Sequence, residues 1–155
     1  MDWVFGGFLI ASMLHMVEEY FYPGGFMDIQ KRLNPRFAPF VTVPMAVIAN
    51  GLQLLLCVLT LILGRSMLTF SMSAAALLSI NGVVHVLASI RIKRYVPGVI
   101  TGLALYLPLA LYAYYGFIAS GELALDQVLI TLVLGLLYQA VPLAYLAVAS
   151  VARQA

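Results

Sequence analysis

Five stretches of about twenty apolar residues follow one another along this chain with only short polar turns between them, a pattern that leaves few folds open. They run approximately from Trp3 to Tyr22, Val41 to Gly64, Met67 to Ile90, Val96 to Phe117 and Leu123 to Val151. A helix rises about 1.5 Å per residue, so each stretch can cross the hydrocarbon of a bilayer. The stretches lack the two-residue alternation of barrel strands, and helices are the remaining way to satisfy backbone polar groups in lipid. The sequence therefore predicts an all-α, polytopic membrane bundle of five transmembrane helices, forming a single domain over residues 1–155. With 64% hydrophobic and 9% charged residues and a mean hydropathy of +1.05, no stretch is polar enough for a separate soluble domain. An excess of 8 basic over 6 acidic residues, dispersed along the chain, does not make a nucleic-acid groove. The lone Cys57, in an apolar run, reads as a buried inert thiol.

Orientation follows from the basic residues. Lys31, Arg32 and Arg36 fall in the first loop, Arg91, Lys93 and Arg94 in the third, and Arg153 at the end, all on one side. The other side holds Arg65 with Asp2, Glu122 and Asp126. The positive-inside rule then predicts a multi-pass protein of the cell inner membrane, N-terminus outside and C-terminus cytoplasmic. The first stretch reads as a retained helix, because Met1-Asp2 is no positive leader and His15, Glu18 and Glu19 interrupt the run. Between the first two stretches, Phe26, Ile29, Leu33 and Phe37 recur at helical spacing, with Asp28, Lys31, Arg32 and Arg36 mainly between them. This predicts a short amphipathic interfacial segment, a connector with a lid as the alternative, hinged at Gly24-Gly25 and Asn34-Pro35. Small residues from Ser71 to Ser89 place the third helix at the bundle centre, and the Leu- and Val-rich fifth helix shows more of itself to lipid. Trp3, Tyr112, Tyr114 and Tyr115 read as an outer aromatic belt and Tyr20, Tyr22 and Tyr95 as an inner one. The methionines, Met13 and Met16 among them, read as gap fillers, and Pro108 and Pro142 as kinks.

Ionisable groups inside a bilayer are costly and mark functional sites. His15 lies about 10 Å, and Glu18 and Glu19 about 5 to 6 Å, inside the cytoplasmic end of the first helix, with both carboxylates near the His face by their spacing. His85 lies about 9 Å before Arg91, at matching depth. Asn81 precedes His85 by one turn on the same face, Thr101 opens the next helix after the Tyr95, Pro97, Gly98 turn, and Asn50 lies somewhat deeper. Gln139 is a further polar group available to a cavity.

Three motifs carry a resemblance. His15-Met16-Val17-Glu18-Glu19, Asn81-Gly82-Val83-Val84-His85 and Tyr95-Val96-Pro97-Gly98-Val99-Ile100-Thr101 occur in this order. The chain resembles the HXXEE-domain membrane proteins of bacteria, a family of uncharacterised function. The resemblance implies which residues matter rather than a reaction.

Two imidazoles and a carboxylate can hold a divalent transition metal, zinc before iron, with a position left open for water or substrate. The expected ligands are His15, His85 and Glu19. Glu18 serves as base for attack on an ester or amide, and the two glutamates can exchange roles. Asn81, Tyr95, Thr101 and Asn50 are then substrate-binding, and the substrate is lipid-like. The first alternative is a metal-independent acid-base isomerase or cyclase of an apolar isoprenoid-like molecule, with Glu18, Glu19, His15 and His85 catalytic. A haem between the histidines is disfavoured by the glutamates, and a small cation or proton transporter, with membrane lipids around a homo-oligomer, is the non-catalytic alternative. The bland alternative is a cluster that only fastens the bundle, with His15 bonded to a neighbouring glutamate and His85 bonded to Asn81.

Overall fold

The structure is a computed structural model that describes residues 1–22, 25–33 and 35–152. Gly24, Asn34 and Arg153 lie outside the described residues, as does the Phe26 side chain, so the hinge and charge readings placed on them have no structural counterpart here.

The described residues are helical and contain no strand. α1 (Trp3–Phe21) ends at Tyr22, whose extended backbone is what the residue before a proline prefers. α2 (Phe26–Leu33) is the expected amphipathic segment, two turns long, and runs into a 3-10 turn over Pro35–Phe40. α3 (Val43–Leu63) starts cleanly because the Thr42 hydroxyl accepts from the Met45 amide at 3.5 Å and Pro44 stands in the first turn. It reverses through Gly64, at φ 49°, into α4 (Leu68–Ile92). α5 (Val99–Thr101), a π-helical turn (Gly102–Tyr106) and α6 (Leu107–Ala119) form one continuous stretch, and α7 (Leu125–Ala152) closes the fold.

Three helical stretches are long and apolar enough to cross a membrane, namely Val43–Ile92, folded back at Gly64, Val99–Ala119 and Leu125–Ala152. α1 is not among them, since His15, Glu18 and Glu19 stand in its 19 residues. The all-α expectation is thus met, while length and apolarity qualify three helical stretches rather than five as able to cross a membrane.

α4 is the central helix and packs against α1, α3, α6 and α7. Its small residues let neighbours approach: Gly82 and Gly102 bring α4 and the π turn together so closely that a Cβ on Gly102 would stand 2.9 Å from the Gly82 Cα. The apolar core gathers Phe5, Phe8, Met72, Tyr106 and Phe117, with Phe5 and Phe117 stacked at 5.8 Å. α7 fully buries only Thr131, Gly135, Leu146 and Ser150, so much of its surface is left uncovered by the other helices.

At one end, Arg65 Nε meets Asp2 at 2.5 Å and its Nη1 meets Glu122 at 2.9 Å, with the guanidinium 5.6 Å over the Phe117 ring. This clasp joins the start of α1, the α3–α4 turn and the α6–α7 loop, the three places the charge pattern put on one side. Exposed ion pairs contribute little and are screened. Arg65→Gln is therefore expected to lower the thermal unfolding midpoint by a few degrees at most, with a smaller effect at high salt.

Candidate functional site

Pro108 lacks an amide hydrogen and its ring crowds the carbonyl four residues back, at Ala104. The chain accommodates it with the π turn over Gly102–Tyr106. That extra residue turns Tyr106 inward, where it is fully buried and stacks on His15 with ring centroids 4.5 Å apart. The Tyr106 hydroxyl accepts from Gln53 Nε2 at 2.9 Å, and Gln53 also reaches Ser12, which lies 3.3 Å from Cys57. Sequence reasoning missed Gln53 and Tyr106. Gln53 was detectable as a polar residue in mid-stretch, one turn past Asn50, and Tyr106 as a tyrosine far from either interfacial belt.

The two adjacent glutamates part company. Glu18 turns to the 95–101 turn, where it accepts from five donors: the Tyr95 hydroxyl, the Gly98 amide at 2.8 Å and the Ile100 amide at 3.1 Å on Oε1, and the Thr101 amide at 2.8 Å and hydroxyl at 2.5 Å on Oε2. A helix start leaves amides without internal partners, and a carboxylate is the natural group to meet them. Burial and the adjacent carboxylate raise the Tyr95 phenol above its ordinary range, so it stays a donor. The expectation that both carboxylates face the histidines is therefore corrected, because α1 presents residues 18 and 19 to different neighbours.

Glu19 joins the histidines. His15, Glu19 and His85 are 1%, 2% and 5% exposed, and their ligand atoms lie within 4.8 Å of one another. Glu19 Oε1 is 3.1 Å from His85 Nε2 and 3.7 Å from His15 Nε2. The proton positions follow from the neighbours. The Thr101 hydroxyl gives its hydrogen to Glu18, so its oxygen can only accept from His15 Nδ1, 2.7 Å away. In the neutral imidazole the hydrogen is then on Nδ1 and the lone pair on Nε2, an atom buried without a hydrogen-bond partner. Glu18 thus acts on the cluster through Thr101, setting the tautomer of a histidine it does not touch.

Gly98 completes the enclosure. Its φ of 100° is open to glycine, and a Cβ there would stand 2.6 Å from His85 Nδ1 and 2.7 Å from His15 Cε1. Both imidazoles are packed against this one Cα, and their centroids are 4.8 Å apart, edge to face.

On the other side, Glu19 and His85 line a cavity of about 680 Å³ between α3, α4 and α7, with α2 across one end through Ile29, Gln30 and Leu33. The slot is otherwise largely apolar, and Gln139 and Pro142 reach it. Asn81 lines it too, with its Oδ1 buried and unpartnered. Asn81 is not what holds His85, whose Nε2 goes to Glu19. Asn50 also lines the slot while donating to the Tyr20 hydroxyl at 2.6 Å. Tyr95 and Thr101 are engaged with Glu18, not with the slot.

The donor set suits a transition cation. Ligands on tetrahedral zinc lie about 3.3 Å apart, given bonds of roughly 2.0 to 2.1 Å, and the two carboxylate-to-imidazole distances of 3.1 and 3.7 Å bracket that value. Comparison with curated proteins and with solved structures gave no match. A family described as "Protein of unknown function with HXXEE motif" matches residues 7–113, a stretch that holds His15, Glu18, Glu19, Asn81, His85 and the whole 95–101 turn. The chain therefore belongs to this HXXEE family.

Proposed function

We propose that this protein is a membrane-embedded, metal-dependent hydrolase of a lipid-like substrate, with a divalent cation, zinc before iron, held by His15, Glu19 and His85. One observation carries the reading: His15 Nε2, buried without a hydrogen-bond partner, and the Glu19 carboxylate face each other 3.7 Å apart. A cation between the neutral imidazole and the carboxylate would satisfy both, and two nitrogens with one carboxylate would leave a coordination position open on it. Held by these residues, a cation would supply Lewis acidity, for bound water and for a substrate carbonyl. In hydrolysis the water oxygen adds to the acyl carbon, the acyl-oxygen bond breaks, and the departing oxygen takes up a proton. Five donors exceed the roughly four lone-pair sites of a carboxylate, so Glu18 has no capacity left to serve as base, and proton acceptance falls to Glu19 at the slot wall. Asn81 Oδ1 is available to a substrate donor beside it.

The reading places α1 as the first of five crossings, with the N-terminus outside, the C-terminus cytoplasmic and the site near the cytoplasmic leaflet of the inner membrane. Grouping of Lys31, Arg32 and Arg36 with Arg91, Lys93 and Arg94 opposite the Arg65 clasp supports this. A haem finds no support, because imidazoles 4.8 Å apart leave no room for a porphyrin plane. The acid-base isomerase remains as a second reading, since Glu19 and His85 at 3.1 Å form a proton-exchanging pair on the slot wall without a metal.

Metal content separates the two. Purified protein is expected to carry about one transition-metal ion per chain by elemental analysis, and His85→Ala less than about a tenth of that. Metal-free protein that turns over an apolar substrate would establish the isomerase.

A further inference from the structure

The slot carries its own ruler. Along α4, Arg91 lines it at one end and Phe70 at the other, with His85 between them. His85 lies six residues from Arg91, about 9 Å of helix, and fifteen from Phe70, about 22 Å. Apart from Asn81, one turn from His85, and Gln53 on α3, the wall from His85 to Phe70 is apolar, with Leu55, Leu56, Leu59 and Leu77 along it. Arg91 is exposed, and among the described residues it has no carboxylate partner. It is thus a free cation at the mouth of an apolar slot, one turn and a half beyond the candidate metal ligands.

We propose that the substrate is a phospholipid with an anionic headgroup, bound with its phosphate at Arg91, an acyl ester at Glu19 and His85, and that acyl chain drawn along the slot towards Phe70. A phosphate at the mouth sets its ester a short glycerol length deeper, in the direction of the ligands. The distance beyond them exceeds the roughly 15 Å that one leaflet's tails occupy in a fluid bilayer, so the slot holds a single straightened chain. The second chain stays in the membrane, on the side where Leu52, Leu55 and Leu143 are about half exposed. A free fatty acid does not fit this ruler: its carboxylate at Arg91 would present mid-chain methylenes to the site. Identification of the ester as the reacting group rests on the hydrolase reading, whereas headgroup recognition does not.

Native mass spectrometry of the full chain in detergent tests this, with dioleoylphosphatidylglycerol competing against uncharged dioleoylglycerol. One arginine at a membrane surface is worth about a fivefold preference. The wild type is expected to retain the phospholipid about fivefold over the diacylglycerol, Arg91→Gln to hold the two nearly equally, and Arg91→Lys to keep most of the preference. Equal retention by the wild type, or an unchanged preference in Arg91→Gln, overturns the proposal. Oleate competing as well as the phospholipid overturns it too. Metal content, measured on the same samples, stays at the wild-type level in both Arg91 variants. A wild type that holds metal but shows no charge preference, or an Arg91→Gln variant that keeps the preference, therefore refutes the headgroup assignment alone, and a metal-free wild type with the preference intact refutes the hydrolase alone.

Discussion

Gly98→Ala is expected to destabilise this protein and to disturb its histidine cluster at once. At φ 100° an alanine carries the steric cost of a left-handed backbone, about 1 to 2 kcal/mol. Its Cβ would also meet His85 Nδ1 at 2.6 Å and His15 Cε1 at 2.7 Å, so that at least one ring must be displaced from the cluster. His15 is held by Tyr106 on one face and Thr101 at its Nδ1, and His85 by Glu19. Overpacking of a filled core costs a further 1 to 3 kcal/mol or so, for a total of about 2 to 5. The thermal midpoint should fall on the order of 10 °C, and bound metal should be lost with it. An alanine variant that unfolds with the wild type and keeps its metal would mean that the turn does not pack on the imidazoles as described.

Glu18→Ala carries the second large effect, at a residue that is no ligand. Removing the carboxylate leaves the Gly98, Ile100 and Thr101 amides without their acceptor, at about 1 to 3 kcal/mol for each buried one. It also frees the Thr101 hydroxyl to turn its hydrogen towards His15, which releases the tautomer. Metal affinity is expected to fall about 10- to 100-fold, the usual cost of losing a group that orients a ligand. Glu18→Gln discriminates between roles. Donors converge on both carboxylate oxygens, so an amide nitrogen must face at least two of them, and glutamine should be nearly as harmful as alanine. Were Glu18 instead the base, glutamine would keep the metal and stop turnover. Thr101→Ser, which retains the hydroxyl, is expected to hold metal as the wild type does, and Thr101→Val is not.

The helices were legible because hydrophobic length is a local property, written in consecutive residues. His15, Glu19 and His85 were legible for the converse reason: ionisable groups stand out in apolar runs, and depth along a helix can be counted. The division of labour between Glu18 and Glu19 could not be read that way. Neighbouring residues point about 100° apart on a helix, and which of them meets the histidines depends on where α4 and the 95–101 turn sit around α1. The pairing of Asn81 with His85 failed similarly, since one-turn spacing permits a contact that Glu19, arriving from another helix, takes over. Pro108 announced a kink, but not that the strain would be absorbed in the residues before it and would carry Tyr106 onto His15.

On the proposed embedding, a slot walled by half-exposed leucines on α3 and α7 would open sideways, into the fatty phase itself. Reactants would then arrive by diffusing in a plane, and encounter frequency would follow their mole fraction among neighbouring lipids. Turnover assayed in mixed micelles should accordingly decline as inert amphiphile is added at fixed bulk concentration, a dilution that an enzyme fed from water would ignore.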